Sequence, residues 1–197
     1  THTHFVKSPT TDGMLIPMPV TTLQERREAR KESLMQRVEK SAELAETMEC
    51  CVIWCDYNDE STALTKAIEG AVEVKGSDTS EHKENALLGF ANGDIKYLVT
   101  KPRIAGFGMN WQNCNNTIFC GLSDSYERYY QSIRRFYRFG QKKEVNVHVV
   151  LSERESAVLE NIQRKAEDAE KMSKHMVDLT ADILKHEIKN TTREQIK

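Results

Sequence analysis

The chain has 197 residues, of which 39% are hydrophobic and 29% charged, and its formal net charge is -2. This length and composition predict one globular domain with a sizeable core, and no apolar run is long enough to span a bilayer. The slightly negative charge excludes a uniformly basic nucleic-acid binder. The chain begins at Thr1 rather than Met and shows no secretory signal, which predicts a segment of a longer protein.

We expect no metal site at the cysteines or at the first two histidines. The chain has five cysteines: Cys50, Cys51, Cys55, Cys114 and Cys120. Their odd number and the lack of a Cys-x-x-Cys pair favour buried free thiols in a reducing compartment over a zinc site or disulfide framework. His2 and His4 are expected in a disordered end rather than in a metal site.

The first quarter of the chain predicts an extended segment followed by a helix. Residues 1–20 are polar, contain three of the four prolines and show no period, so an extended lead-in is expected. Residues 21–48 are rich in Glu, Arg, Lys and Ala, with apolar residues at helical spacing. This pattern predicts a surface helix capped by Thr21 or Thr22.

The rest of the chain alternates between strands and helices. Strands are predicted at 50–55, 71–75, 96–100, 117–120 and 145–151. Helices are predicted at 60–69, 79–91 and 125–139. Short apolar strands alternating with helices indicate a three-layer α/β domain, in which helices cover both faces of a mostly parallel sheet. From residue 153 onward a long polar helix is expected, either laid along its own domain or forming a brace or coiled-coil surface.

The segment with the most specific chemistry is 131–141, QSIRRFYRFGQ. It lies in a run from Arg128 to Lys143 that carries six cationic and no acidic side chains. On a helix, Arg135 and Arg138 would share one face, with Gln131 one turn before Arg135. Two planar guanidiniums suit a polyphosphate and can stabilise charge on a transferring phosphoryl group. A basic helix end that complements the helix dipole explains the same residues equally well.

This segment resembles the sixth motif of superfamily-2 helicases. It is most similar to the branch of chromatin remodellers (Swi/Snf-type) and their bacterial and phage relatives. The family pattern falls on Gln131, Arg135, Arg138, Gly140 and Gln141. The resemblance implies that Arg135 and Arg138 are fingers that reach ATP bound mainly by another lobe, while Gln131 supports the nucleotide site. Tyr137 stands where remodellers often have His, which leaves the subfamily open.

A second segment of interest is 100–112, TKPRIAGFGMNWQ, which directly follows a predicted strand. Gly106 and Gly108 allow backbone amides to approach an anion closely, and the Asn110 side chain can bond a hydroxyl or phosphate. On its own, a Gly-x-Gly loop is better explained as an ordinary turn.

The same segment resembles the fifth helicase motif, although Ala105 replaces one expected glycine. The resemblance implies that Thr100 and Lys101 contact the nucleic-acid backbone. It also implies that Gly108 and Asn110 help to line the nucleotide cleft.

Two more segments resemble helicase motifs that track a phosphate backbone. Residues 50–61, CCVIWCDYNDES, are similar to the fourth motif, in which a buried strand ends near the nucleic acid. Residues 73–90 are similar to the Gly-Ser turn and helix of the same family. The residues implied to contact phosphate are Asn58, Ser61, Lys75, Gly76 and Ser77. An exposed turn and an ordinary helix cap explain these residues at least as well.

The four resemblances occur in family order, and together they identify the chain as a C-terminal RecA-like lobe of a superfamily-2 helicase. Some phage and prophage helicases carry a similar Lys-Pro, Gly-Phe-Gly, Asn-Trp-Gln run, so that subgroup is expected. The lobe is expected to span 21–152, with 21–48 as its leading helix. It would follow the lead-in at 1–20, and 153–197 would form a C-terminal helical extension.

The chain lacks the P-loop of a complete motor, because none of its nine glycines is followed by lysine. The resemblance therefore implies that ATP and Mg²⁺ are bound mainly by an N-terminal RecA-like lobe of the same parent protein. Alone, this chain is predicted to hydrolyse no ATP and to hold no metal. Its expected partners are that first lobe and nucleic acid, with no membrane; DNA is favoured over RNA, but the sequence leaves both open. The expected location is the cytoplasm of a bacterial or phage-infected cell.

Two other functions are compatible with parts of the pattern. A non-catalytic helicase-like module would bind DNA or a protein without ATP chemistry, and an intact P-loop upstream in the parent would count against it. An unrelated α/β enzyme would require the motif series to be accidental and a set of catalytic groups within this chain, which the sequence does not show.

Overall fold

The computed structural model describes residues 1–7, 22–105 and 108–194. The strands are β1 (His2–Val6), β2 (Cys51–Trp54), β3 (Ala71–Glu73), β4 (Tyr97–Thr100), β5 (Asn116–Cys120) and β6 (Asn146–Ser152). The helices are α1 (Leu23–Glu32), α2 (Leu34–Glu46), α3 (Asn58–Ala67), α4 (Ser80–Asn92), α5 (Pro102–Ala105), α6 (Tyr126–Ile133) and α7 (Ser156–Glu194). Within these residues, no helix is long and apolar enough to cross a membrane.

The six strands form one sheet in the order β1-β6-β5-β2-β4-β3. Every neighbouring pair is parallel, so the prediction of a mostly parallel sheet is confirmed. Because all strands run the same way, their carboxyl ends meet at one edge of the sheet. In open parallel α/β sheets this is the edge where ligands bind.

Both faces of the sheet are covered, which confirms the three-layer α/β architecture. Val52 and Trp54 of β2 belong to one core cluster, together with Phe90 of α4. Their neighbours Cys51 and Ile53 point to the opposite face and pack in a second cluster with residues of α2 and α3. Since side chains alternate along a strand, the uninterrupted apolar run in β2 fills two cores at once.

The predicted leading helix is two helices, α1 and α2. Thr22 caps α1 through a capping box with Glu25, as the sequence predicts. The chain then breaks at Ser33, whose Oγ donates to the Ala29 carbonyl at 2.7 Å. α2 buries Val38, Ala42 and Ala45, the apolar residues whose spacing predicts the helix, and its other face is exposed. It also buries Arg37 and Ser41, which the apolar spacing does not predict.

The start of the chain is a strand rather than a disordered end. β1 pairs in parallel with β6, and the rings of His2 and His4 both stack on His148. The expectation of disorder is therefore wrong for residues 2–6, which gain backbone hydrogen bonds from an edge strand that is otherwise unpaired. The rest of the predicted lead-in, residues 8–20, lies outside the described part of the chain.

The chain divides into two compact units, Thr1–Leu159 and Glu160–Lys197. The first unit contains the sheet and its two cores, and Val158 at the start of α7 is buried in it. Up to Glu194, where the described residues end, the second unit is the remaining part of the long helix that the sequence predicts. It exposes Met172, Met176 and Leu179.

Candidate nucleotide and nucleic-acid site

The arginine segment forms turns after a helix rather than the end of one. α6 stops at Ile133, so the prediction of a helix through Phe139 is wrong. Phe136 is fully buried and packs on Trp111 with ring centroids 6.0 Å apart. Tertiary packing of this ring overrides the helical preference of the local sequence, and short turns carry the chain on to Gly140.

The turns nevertheless bring the two predicted fingers together. Arg135 Nη1 and Arg138 Nη2 both donate to the carbonyl oxygen of Met109, at 3.3 and 3.4 Å. Arg135 also donates through Nε to the Gln131 carbonyl at 3.0 Å and through Nη2 to Gln131 Oε1 at 3.2 Å. The predicted nucleotide residues Gln131, Arg135 and Arg138 thus form one connected group.

This group concentrates positive charge. Burial, followed by repulsion from Arg138 and Arg134, lowers the pKa of Arg135. Within the described residues neither Arg135 nor Arg138 has an acidic partner, and the buried Nε of Arg138 has no hydrogen-bond acceptor. Two adjacent cations with spare donors and no carboxylate are suited to an anion that carries several charges.

The loop that receives these arginines carries the other two predicted nucleotide residues. Gly108 has a φ of +80°, and both it and Asn110 are exposed on either side of Met109. The loop is anchored by Trp111, which is fully buried and whose backbone N–H donates to the Arg135 carbonyl at 3.0 Å. Gly106 of the predicted Gly-x-Gly pair lies outside the described residues.

Gly140 and Gln141 fasten the arginine turns to this loop. The φ of Gly140 is +101°, and a Cβ there would lie 2.8 Å from Gln112 Oε1, so only glycine fits without displacement. Gln141 Nε2 donates to the carbonyls of Gln112 and Cys114, at 3.2 and 3.0 Å. These two motif residues therefore position the guanidiniums and do not themselves present a charge.

Two of the predicted nucleic-acid residues lie together at the carboxyl edge of the sheet. The Lys101 ammonium donates to Asn58 Oδ1, which joins the residue after β4 to the first residue of α3. Thr100 differs from its neighbour, since its side chain is fully buried and donates to the Val74 carbonyl at 3.2 Å. Of the predicted pair, Lys101 is therefore the one that reaches the surface.

The predicted Gly-Ser turn is a separate feature. Gly76 and Ser77 are exposed in the turn after β3. The Gly76 carbonyl accepts from Lys83 Nζ at 2.6 Å, and Lys75 N donates to Asp78 Oδ2 at 2.7 Å. This turn ends at the same sheet edge as Lys101, but no described hydrogen bond joins the two.

Beside Lys101 is a groove of about 720 Å³ that sequence analysis did not predict. It lies beyond the carboxyl ends of β2, β4, β5 and β6. Its cationic lining residues are Arg26, Arg27, Arg30, Lys101, Arg103 and Arg128, and its acidic ones are Asp56, Asp124 and Glu155. Arg128 belongs to the basic run that the sequence showed. The other arginines come from α1 and α5, whose proximity depends on the fold.

The groove rests on a buried ion network. Glu60 is 2% exposed and accepts from Arg30 Nη2 and Arg37 Nη1, each at 2.9 Å. Burial alone would raise the pKa of Glu60, but the two arginines and the backbone N–H groups of Asp56 and Tyr57 outweigh it and lower the pKa. Arg30 also pairs with Asp56 at 2.9 Å. The network joins α1, α2 and α3 beneath the groove and holds its floor in place.

Comparisons with known proteins identify the fold and the family of the chain. An all-parallel six-stranded sheet with helices on both faces is the architecture of a RecA-like lobe. Residues 30–140, more than half of the chain, match the model of the helicase conserved C-terminal domain. The chain therefore belongs to the family of helicase conserved C-terminal domains. No curated protein matches it by sequence.

Solved structures that resemble the fold include domains of Fun30 and Dbp5. The C-terminal part of the Fun30 ATPase domain matches with a TM-score of 0.58 and 20% identity over 66% of this chain and 46% of its own. The C-terminal domain of the DEAD-box protein Dbp5 matches with a TM-score of 0.57 and 16% identity over 68% of this chain and 80% of its own. The chain thus spans less than half of the Fun30 fragment.

Proposed function

We propose that this chain is the second motor lobe of an ATP-dependent nucleic-acid helicase or translocase of the remodeller-like branch, with a phage or prophage origin. The observation that carries the proposal is the convergence of Arg135 and Arg138 on the Met109 carbonyl, beside an exposed loop and without an acidic partner among the described residues. The P-loop of a parent protein would supply the rest of the nucleotide site.

In this proposal the two arginines act on ATP held by a first lobe. The bound ATP and Mg²⁺ supply the phosphoryl group and the metal that neutralises part of its charge. Arg138 is half-buried, next to the exposed Phe139, and has no acidic partner among the described residues, which supports a role in donating to a phosphate oxygen when the lobes close. Arg135, buried at 5% exposure, holds Gln131 and the loop in position. Arginine fingers contribute about 10³–10⁵ in turnover where they have been measured.

The proposed nucleic-acid contacts lie at the carboxyl edge of the sheet. Lys101 and Asn58 form one contact, and the cationic residues of the groove extend it. Such residues bind phosphate and sugar, so binding should tolerate any sequence and weaken with salt. DNA is proposed over RNA on the family resemblance alone. Each cycle of lobe closure would shift the grip on the backbone by one step.

The experiment that tests this proposal measures ATP turnover by the full-length parent, with and without nucleic acid, beside this chain alone. We expect the parent to hydrolyse ATP and nucleic acid to stimulate this turnover. We expect no ATP turnover that copurifies with this chain alone. A parent that binds nucleic acid but hydrolyses no ATP would instead identify the chain as a non-catalytic helicase-like module.

A further inference from the structure

Two thiols meet at the amino edge of the sheet, opposite the groove. Cys50 immediately precedes β2, and Cys114 lies two residues before β5, which is the parallel neighbour of β2. Cys114 Sγ donates to the Cys50 carbonyl at 3.3 Å, and Cys50 packs against the core cluster that contains Cys114. The register aligns Val52 with Thr117, so Cys50 and Cys114 enter their two strands side by side, within one residue of alignment.

The two thiols differ in access and in charge. Cys50 is half-buried, whereas Cys114 is 1% exposed. The neighbouring Cys114 thiol lowers the pKa of Cys50 against the effect of burial, and the nearby Lys143 ammonium lowers it further. The neighbouring Cys50 thiol and burial raise the pKa of Cys114. Cys50 is therefore the thiol that an oxidant reaches first, and Cys114 lies beside it.

The other three cysteines do not share this arrangement. Cys51, Cys55 and Cys120 are all buried, and burial raises the pKa of each. All five cysteines are free thiols, as the sequence predicts. The Cys50–Cys114 pair therefore differs from the other three cysteines in its surroundings.

We propose that Cys50 and Cys114 are a peroxide-responsive thiol pair that closes to a disulfide and restrains the loop carrying the arginine contacts. The Cys50 thiolate attacks one oxygen of hydrogen peroxide, the O–O bond breaks, and the hydroxide released takes up a proton to form water. The resulting sulfenic acid is attacked by the Cys114 sulfur, which loses its proton. The S–O bond breaks, a second water leaves, and the two thiols have lost two electrons to the peroxide.

The disulfide would act on the loop through contacts already described. Gln141 donates to the Cys114 carbonyl, and Cys114 N donates to the Trp111 carbonyl at 3.1 Å. Trp111 in turn donates to the Arg135 carbonyl at 3.0 Å. A covalent tie at Cys114 therefore limits the movement that the arginines need when they exchange Met109 for a phosphate. This consequence rests on the proposed function, whereas the disulfide itself does not.

The disulfide is tested on this chain by peptide mass spectrometry after treatment with stoichiometric hydrogen peroxide. We expect a peptide pair joined through Cys50 and Cys114, lighter by two hydrogens and released by dithiothreitol. Cys50→Ser should abolish the link, and Cys55→Ser, which changes a buried thiol outside the pair, should leave it. Sulfinic acid at Cys50 without a link, or a link through another cysteine, would overturn the proposal.

The effect on the loop is tested on the reduced and oxidised full-length parent by ATP turnover. We expect oxidation to slow turnover at least twofold in the native protein and not in Cys50→Ser, with recovery in dithiothreitol. A disulfide that forms without changing turnover would refute the restraint. A parent without any turnover would instead refute the proposed function and leave the peptide result standing.

Discussion

Substitution of the buried Glu60 carboxylate is the most quantitative test of whether the ion network holds the floor of the groove in place. Glu60→Gln keeps the shape of the side chain but removes the charge that neutralises Arg30 and Arg37, both nearly inaccessible to solvent. It also replaces an oxygen that accepts bonds with an NH₂ group, which faces either a guanidinium or the N–H groups of Asp56 and Tyr57.

The loss of stability caused by Glu60→Gln can be estimated from these contacts. Removing one partner of a buried ion pair costs about 3–5 kcal/mol, because the remaining charge is left uncompensated. Domains are stable by only about 5–15 kcal/mol, so a large fraction of the free energy of unfolding should be lost. Urea denaturation at neutral pH measures it directly. Glu43→Gln is the matched control, since its pair with Lys40 is exposed and should change stability by no more than about 1 kcal/mol.

The pH dependence of stability gives an independent check. The pKa of Glu60 is lower in the folded protein, so its contribution is present above the unfolded pKa and is lost as pH falls through the folded pKa. Glu155 has the opposite sign, because burial raises its pKa despite the nearby Arg30. Glu60→Gln should therefore flatten the loss of stability in acid. A cost near that of Glu43→Gln, or an unchanged acid slope, would refute the reasoning.

Two further predictions concern the groove. Gly121→Ala should lower the free energy of unfolding, measured in urea, by more than about 1 kcal/mol. Gly121 has a φ of +88°, and an added Cβ would lie 2.4 Å from Arg30 Nη2. Unchanged stability would contradict this close approach. Lys101→Ala and Arg128→Ala should each weaken binding of the full-length parent to DNA of any sequence and reduce the salt slope by about one, whereas Lys40→Ala, on another surface, should leave both unchanged. A sequence-dependent loss measured by fluorescence anisotropy would refute backbone contact.

The sheet was predictable because each strand is a short apolar run. The run at β2 and those at β4, β5 and β6 are bounded by polar residues or glycine, and parallel strands buried on both faces require no alternation. β1 was missed because His2, Thr3 and His4 are polar. An edge strand gains its stability from pairing with β6, which local sequence does not encode.

The site was predictable only where a short motif carries it. Gln131, Arg135 and Arg138 lie within eight residues, so one segment contains all three side chains. The helix that begins this segment ends at Ile133, earlier than the sequence predicts. The Arg30–Glu60–Arg37 network could not be predicted, because it joins charges that look solvated in a polar helical pattern. The groove arginines on α1 and α5 were missed for the same reason.

The measurement that tests the central claim most directly is nucleic-acid-stimulated ATP turnover by the full-length parent carrying Arg138→Ala. Arg134→Ala is the matched control, since Arg134 lies in the same segment but is exposed and bonds the Tyr130 hydroxyl at 2.9 Å. A finger predicts a loss of about 10³-fold for Arg138→Ala in a folded protein and near-native turnover for Arg134→Ala. Equal turnover in both variants would contradict the motor-lobe account.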